Sequence, residues 1–324
     1  MTLHLTKDQI DRFNTDGFLI VEDLVDKKTV VQLRERFGRL FQGDFHTGIK
    51  PDEVNWQQGK SDPLLTRQIC NAWKADPWVG ATVLREDLGR AIAQLGSWPG
   101  TRIAQDNVIS KPPGARAIGY HQDNAYLGWY TPREMLTCWI ALDDVSKESG
   151  TLELIKGSHR WHRQLNPEGE FHDPSDYQKI MKKAADREKQ DTRVTYVEVP
   201  AGGASFHHGW TWHGSGINGS SIERRALVLH GMPSNARFVP GHLSDGTGPV
   251  YGRYKHLNDC EIDENYFPIL WQQEGYRTPE LEAIISAAAG EPVPHQADTN
   301  LPSFVRQARS IQTSIAYAAN IDIT

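Results

Sequence analysis

His121 and Asp123 lie two residues apart in "YHQDNAYLGWY" (residues 120–130), a run crowded with tyrosine and tryptophan. Both are metal-ligand types, and in an extended strand residues i and i+2 project to the same face. A lone His-x-Asp is more often a hydrogen-bonded surface pair. A further histidine from a distant strand would instead complete a set of two histidines and one carboxylate. Such a set leaves three positions of Fe(II) open for a co-substrate and O2. "SFHHGWTWHGSGIN" (residues 205–218) offers His207, His208 and His213 for that place. Alternation puts His207 and His213 on one face and His208 on the other. His213 precedes Gly214, Ser215 and Gly216, a turn where a strand would open at a barrel mouth.

"SSIERRALVLHG" follows, with Arg224 eleven and Arg225 twelve residues after His213. On the adjacent antiparallel strand a cation here would reach back towards the metal. The planar fork of arginine grips a carboxylate through two donors, which lysine cannot reproduce. The two arginines face opposite sides of a strand, and alternation alone does not choose between them.

The elements that must position these residues fall into two textures. The first hundred residues read mainly as helix. Thr6 and Gln9 have the spacing of a capping box, Gly17 ends that helix, and "FLIVEDLV" is a short strand. Asp26 caps a helix with the apolar stripe Val30, Leu33, Phe37 and Leu40. Residues 42–62 are polar and irregular, and "LLTRQICNAWKAD" and "VLREDLGRAIAQLG" read as further helices. From Thr101 eight short β-rich runs appear, bounded by Gly, Pro, Asn and Ser, which points to a sandwich or jelly roll. The helices would buttress one outer face of a single barrel.

The expected organisation is one domain over 1–280, with a helical buttress (1–100), a β core (101–235) and a C-terminal extension (236–280). Residues 281–324 read as a peripheral helix and tail. A charged insertion over 160–193 reads as a solvated helix and loop or, functionally, as a lid.

Among 324 residues, 38% are hydrophobic and 10 are Trp, ample for a core. A net charge of −6 argues against a general nucleic-acid or anionic-membrane binder. Cys70, Cys138 and Cys260 form no disulfide framework, and no signal peptide or membrane-length apolar run is evident. A cytoplasmic protein is expected, its oligomeric state open.

Several separated motifs together resemble the phytanoyl-CoA dioxygenase family of Fe(II)/2-oxoglutarate oxygenases, over roughly residues 5–280. They are "LTKDQIDRFNTDGFLIVEDLV", "KPPG" (Lys111–Gly114) before "HQD", "CWIALDDVSKESGTLELIKGSH", and "HGSGIN" followed by "RRAL". The resemblance implies a mainly β fold with buttressing helices, a double-stranded β-helix (jelly-roll, cupin-like) barrel. It implies His121, Asp123 and His213 as iron ligands, and its spacing selects Arg224 over Arg225 as the grip on the distal carboxylate of 2-oxoglutarate. Ser215 is similar to a hydroxyl donor to that carboxylate. Trp139, Lys111 and Gln105 are further candidates beside the co-substrate, and His159 reads as structural.

Tyr126, Trp129 and Tyr130 after the ligand strand, and His208, Trp210 and Trp212 before His213, are candidate pocket walls or barrel core. As a group they favour an apolar or cationic small molecule. The chemistry implied is oxidative decarboxylation of 2-oxoglutarate with O2 to succinate and CO2, coupled to hydroxylation of a small metabolite. The retained Asp123 argues against halogenation, in which relatives carry a small residue there. Two other readings are a metal-dependent jelly-roll enzyme that does not use 2-oxoglutarate and a catalytically silent binding protein.

Overall fold

The computed structural model describes residues 2–288, apart from 173, 242, 244 and 245. Thr6 and Gln9 close a reciprocal capping box at the start of helix α1 (Lys7–Asp16), and Gly17 ends it in the left-handed region at φ 83°. Helix α2 (Lys27–Phe41) is capped by Asp26 and buries Val30, Leu33, Phe37 and Leu40. Its Arg36 also faces inward and pairs with the fully buried Asp76, which caps helix α3 (Pro77–Val83). Helix α4 (Glu86–Gly96) follows.

The strands are β1 (Phe18–Val21), β2 (Glu53–Val54), β3 (Arg67–Cys70), β4 (Gly100–Lys111), β5 (Ile118–His121), β6 (Tyr130–Thr131) and β7 (Leu136–Ala141). After them come β8 (Leu152–Ile155), β9 (Val194–Tyr196), β10 (Ala204–His208), β11 (His213–Ser215), β12 (Arg224–Pro233), β13 (Arg237–Phe238) and β14 (Ile269–Gln272). The larger sheet runs β1-β10-β7-β12-β4-β3-β2 with β14 also on β4, and the smaller runs β5-β11-β8-β9. Each strand of the two sheets pairs antiparallel with its neighbours.

Alternation on the larger sheet sorts its two faces. Leu136, Cys138, Ile140, Phe206, Leu227 and Leu229 pack with Leu33 and Phe37 in the core beneath the helices. Trp139, Ala141, Ala226 and Val228 turn the other way and pack with Leu152 and Leu154 of the smaller sheet. His121, His213, Trp139 and Arg224 border the space between the sheets.

One expected helix is corrected. Within residues 64–76, Arg67–Cys70 form β3 against β4, and Ala72–Lys74 make only a 3-10 turn. Asn71 at φ 59° breaks the run, and its side chain and that of Asp106 bond each other's neighbourhood across the sheet: Asp106 Oδ1 and Oδ2 accept from the Ala72 and Trp73 amides.

β5 is an edge strand. Its outer side is covered by the 160–193 segment, where Gly119 N donates to Phe171 O (2.9 Å) and Tyr120 N to Tyr177 O (2.8 Å). That segment also holds helix α5 (Lys179–Glu188). Residues 236–272 add β13, the short helix α6 (Gly248–Tyr251), β14 and a second core of Trp129, Tyr130, Phe238, Tyr251 and Phe267. Helix α7 (Leu281–Ala288) lies on α3, where Gly80 allows close approach because a Cβ there would meet Ile284 at 2.7 Å. The expected tail over 289–324 lies outside the described residues. Among the described residues no helix is long and apolar enough to cross a membrane.

Candidate active site

β5 and β11 are neighbours, and His121 and His213 are direct partners in their register. Gln122 keeps an extended backbone (φ −119°, ψ 124°), so Asp123, the first residue of a 3-10 turn, still projects with His121. Asp123 Oδ1 lies 3.5 Å from His121 Nε2 and 3.4 Å from His213 Nε2. Among the described residues this trio alone forms a cluster suited to a metal ion.

The hydrogen bonds around the trio test whether a cation fits. His121 Nδ1 is 2.9 Å from Gly119 O, and His213 Nδ1 is 2.9 Å from Thr211 O. A carbonyl only accepts, so both Nδ1 atoms carry the proton and both Nε2 atoms present lone pairs. With both rings neutral, three electron-pair donors thus converge on one point. A divalent cation reconciles them, and the donor set of two imidazoles and a carboxylate suits iron.

The electrostatics agree. Burial works to raise the Asp123 pKa, but the surrounding histidines outweigh it and hold the carboxyl well below its ordinary value. Burial and then the neighbouring His213 lower His121. At His213 burial works to lower the pKa, but Asp123 prevails and the net shift is upward. Below the raised His213 pKa a metal entering the site must therefore displace one proton, from His213. Co(II) affinity measured by titration is expected to rise with pH with slope one up to the raised His213 pKa and then level off. Below the lowered His121 pKa the slope steepens to two. A flat profile across that range would remove His213 from the ligand set.

Arg224 lies at the far end of the same cavity, whose volume is about 270 Å³. On β12 it shares parity with Ala226, Val228 and His230, so it points between the sheets. Arg225 shares parity with Leu227 and Leu229 and is held outside by Asp143, through bonds of 2.8 and 3.0 Å. Arg224 Nη2 donates to Gly150 O (2.9 Å) and Ser215 Oγ (3.3 Å), while its Nε is buried without a partner. Its guanidinium rests over Trp139, 5.6 Å from the ring centroid, and burial lowers its pKa to about 10, so it stays charged. Lys111 is wholly buried behind Ser215, donating to its Oγ at 2.5 Å. Burial and then Arg224 push the Lys111 pKa well down. The buried Arg224 guanidinium, with no carboxylate in contact, fits the far carboxylate of a dicarboxylate such as 2-oxoglutarate.

The remaining sequence candidates separate. Ser215, Trp139, Gln105 and Tyr126 line the cavity, whereas Lys111 stands behind its wall. Trp129 and Tyr130 do not line it, which corrects the expected aromatic wall. After the turn at Asp123–Tyr126 the chain carries them into the second core, where Trp129 meets Tyr251 at 5.2 Å between centroids. His208 points away, beside His159 (5.6 Å), because it is one residue out of phase with His207. Trp210 packs under Arg163 and Arg133, and Trp212 joins the core with Trp161 and Met181. Sequence reasoning missed Phe171, which comes from the insertion to pack edge-on against His121 at 4.8 Å, and also Thr137, Asn107 and His230. His230 carried a readable signal, being six residues after Arg224 and so on its face.

The family model described as phytanoyl-CoA dioxygenase (PhyH) matches residues 13–226. This chain belongs to the phytanoyl-CoA dioxygenase family. A protein of Stutzerimonas stutzeri described as a probable alpha-ketoglutarate-dependent hypophosphite dioxygenase is 32% identical over 222 residues, covering 66% of this chain and 73% of its own. In fold the chain is similar to the non-heme alpha-ketoglutarate-dependent carbocyclase SnoK from nogalamycin biosynthesis, with TM-score 0.63, 23% identity and coverage of 82% and 96% of the two chains. The epimerase SnoN, solved with Fe3+, alpha-ketoglutarate and nogalamycin RO, matches with TM-score 0.61, 19% identity and coverage of 82% and 98%. As a member of this family the chain is an oxygenase that uses iron and 2-oxoglutarate, and the His121, Asp123 and His213 cluster suits the metal.

Proposed function

We propose that this enzyme hydroxylates an unactivated C–H bond of a small, uncharged, hydrogen-bonding metabolite, with release of succinate and CO2. In this reading the two sheets form a jelly-roll barrel around the site. The observation that carries it is the pairing, across one cavity, of the His121, Asp123 and His213 donors with the buried and part-unpartnered Arg224 guanidinium. The iron and 2-oxoglutarate, when bound, supply the O2 activation and the oxidant. His121, Asp123 and His213 would hold the metal. Arg224 and Ser215 would bind the far carboxylate of the co-substrate and so fix its keto-acid end towards the metal.

A metal enzyme without 2-oxoglutarate would have no use for a buried guanidinium whose Nε lacks an acceptor. That argument favours the co-substrate reading over the alternatives. Retention of Asp123 as a carboxylate supports hydroxylation over halogenation.

The rest of the cavity supports the substrate class. Gln68, Gln105 and Asn107 line it with Thr66, Tyr126 and Phe171, and among its described lining residues Arg224 is the one Lys or Arg. Carboxamides and hydroxyls recognise hydroxyl or amide groups, and an anionic substrate would lack a counter-charge beyond the histidines. This revises the apolar or cationic preference read from sequence, because Trp129 and Tyr130 lie elsewhere.

The test begins with succinate formation from 2-oxoglutarate with Fe(II). A metabolite that raises that rate is then turned over under 18O2. A product gaining one 18O atom is the expected result. No succinate above the metal-free control would defeat the reading, and a desaturated product would replace hydroxylation.

A further inference from the structure

Asp123 offers two oxygens, and the protein treats them differently. Oδ1 faces His121 Nε2 and His213 Nε2. Oδ2 accepts from Thr137 Oγ1 at 2.6 Å and lies 3.3 Å from His207 Nε2. His207 is buried, and since a carboxylate only accepts, its Nε2 bears the proton and donates. Thr137 is the direct cross-strand partner of His207 on β10 and of His230 on β12, and His230 in turn partners Gln105 on β4. Four side chains thus form one row across four adjacent strands, all turned to the layer between the sheets.

The hydrogen bonds of this row run in one direction. The Thr137 hydroxyl gives its proton to Asp123, so its oxygen must accept from His230 Nδ1, 2.9 Å away. The amide nitrogen of Asn107 only donates, so the other ring nitrogen of His230 accepts and the ring is neutral. Asn107 Nδ2 donates to that nitrogen at 3.0 Å. Asn107 Oδ1 accepts from Gln105 Nε2 at 3.3 Å, and Gln105 Oε1 accepts from Tyr251 Oη. Every orientation, from Tyr251 to the ligand strand, follows from the charge on Asp123.

We propose that Thr137 and His207, backed by His230 and Asn107, are positioning residues that make Asp123 a one-oxygen ligand. With Oδ2 held by two donors, the carboxylate cannot swing round to chelate the metal with both oxygens. Three protein donors leave three positions of a six-coordinate ion, and a two-oxygen Asp123 would take one of them. The row therefore guards a position that 2-oxoglutarate and O2 need. This inference rests on the reading of the cavity as a metal and 2-oxoglutarate site.

Its signature is a split between metal and co-substrate. Thr137→Val keeps the shape and removes the hydroxyl. It is expected to bind Co(II) as tightly as the wild type or tighter, yet to bind 2-oxoglutarate about tenfold more weakly, since a donor to a charged group is lost and the second oxygen must be displaced. Thr137→Ser should restore wild-type binding. Asn107→Leu leaves His230 free to move its proton to Nε2. The bare Nδ1 then competes for the Thr137 hydroxyl, so a smaller shift in the same direction is expected.

The d–d spectrum of the Co(II) protein, titrated with 2-oxoglutarate, reads both events, and thermal unfolding confirms that each variant is folded. Wild-type 2-oxoglutarate binding by folded Thr137→Val overturns the proposal, as does parallel loss of Co(II) and 2-oxoglutarate. Should Thr137→Val fail to fold, Asn107→Leu and Thr137→Ser decide it, and wild-type 2-oxoglutarate binding by Asn107→Leu overturns it. Failure of the wild type itself to bind Co(II) and 2-oxoglutarate would instead overturn the functional reading beneath it.

Discussion

His121→Ala, Asp123→Ala and His213→Ala are each expected to lower turnover at least ~1000-fold, because a metal supplies several kcal/mol of the catalysis and each 1.4 is a factor of ten. The three donors come from one rung of paired strands and the turn beside it, so none can be replaced by a neighbour moving in. His207 is the nearest spare imidazole, but its Nε2 carries a proton for Asp123 Oδ2 and its bare Nδ1 is buried on the far side of the ring. Asp123→Asn is the sharper variant, since it keeps the size and removes the charge that sets the surrounding proton positions. Metal content of the purified variants, alongside succinate release, decides the matter. Stoichiometric Fe(II) in all three alanine variants would remove these residues from the ligand set.

The second large effect belongs to the buried arginine. Arg224→Lys is expected to raise the 2-oxoglutarate concentration for half-saturation at least ~10-fold, about 1.4 kcal/mol for losing a two-donor contact. Arg225→Lys should leave that concentration unchanged, because Arg225 faces the helix side and is engaged by Asp143. Half-saturation measured by succinate release compares the two directly. The opposite ranking would mean that β12 is out of register by one residue.

The local signals were the readable ones. The Thr6 and Gln9 capping box, the Asp26 cap and the α2 stripe depend on residues within one or two turns of each other. The eight β-rich runs coincide with β4, β5 and β7–β12, since alternation and turn residues are also local. β3 is not legible locally, because its place is fixed by pairing with β4, about forty residues away, and by the left-handed Asn71.

The site shows the same division. His121, Asp123 and His213 stood out through spacing, and Arg224 was separated from Arg225 only by family resemblance, whereas the core on the helix side of Leu227 and Leu229 separates them physically. The aromatic wall failed because closeness to Asp123 in sequence ends at a turn that sends Trp129 and Tyr130 elsewhere. Thr137 and His230 could not be found locally at all, because their meaning lies in a cross-strand row.

The position of β5 at the rim of the smaller sheet carries a consequence for handling this protein. One side of that strand is zipped to β11, and the other is masked by the backbone carbonyls of Phe171 and Tyr177. The ligand rung spans the zip, so a bound ion rivets the rim strand to the sheet and, through it, secures the mask. Withdrawing the ion with a chelator would remove that rivet, and any opening of the mask would then offer the strand edge as a template for another molecule to pair with. Uneven iron loading would therefore show up as uneven solubility as well as uneven activity. The two belong to the same strand.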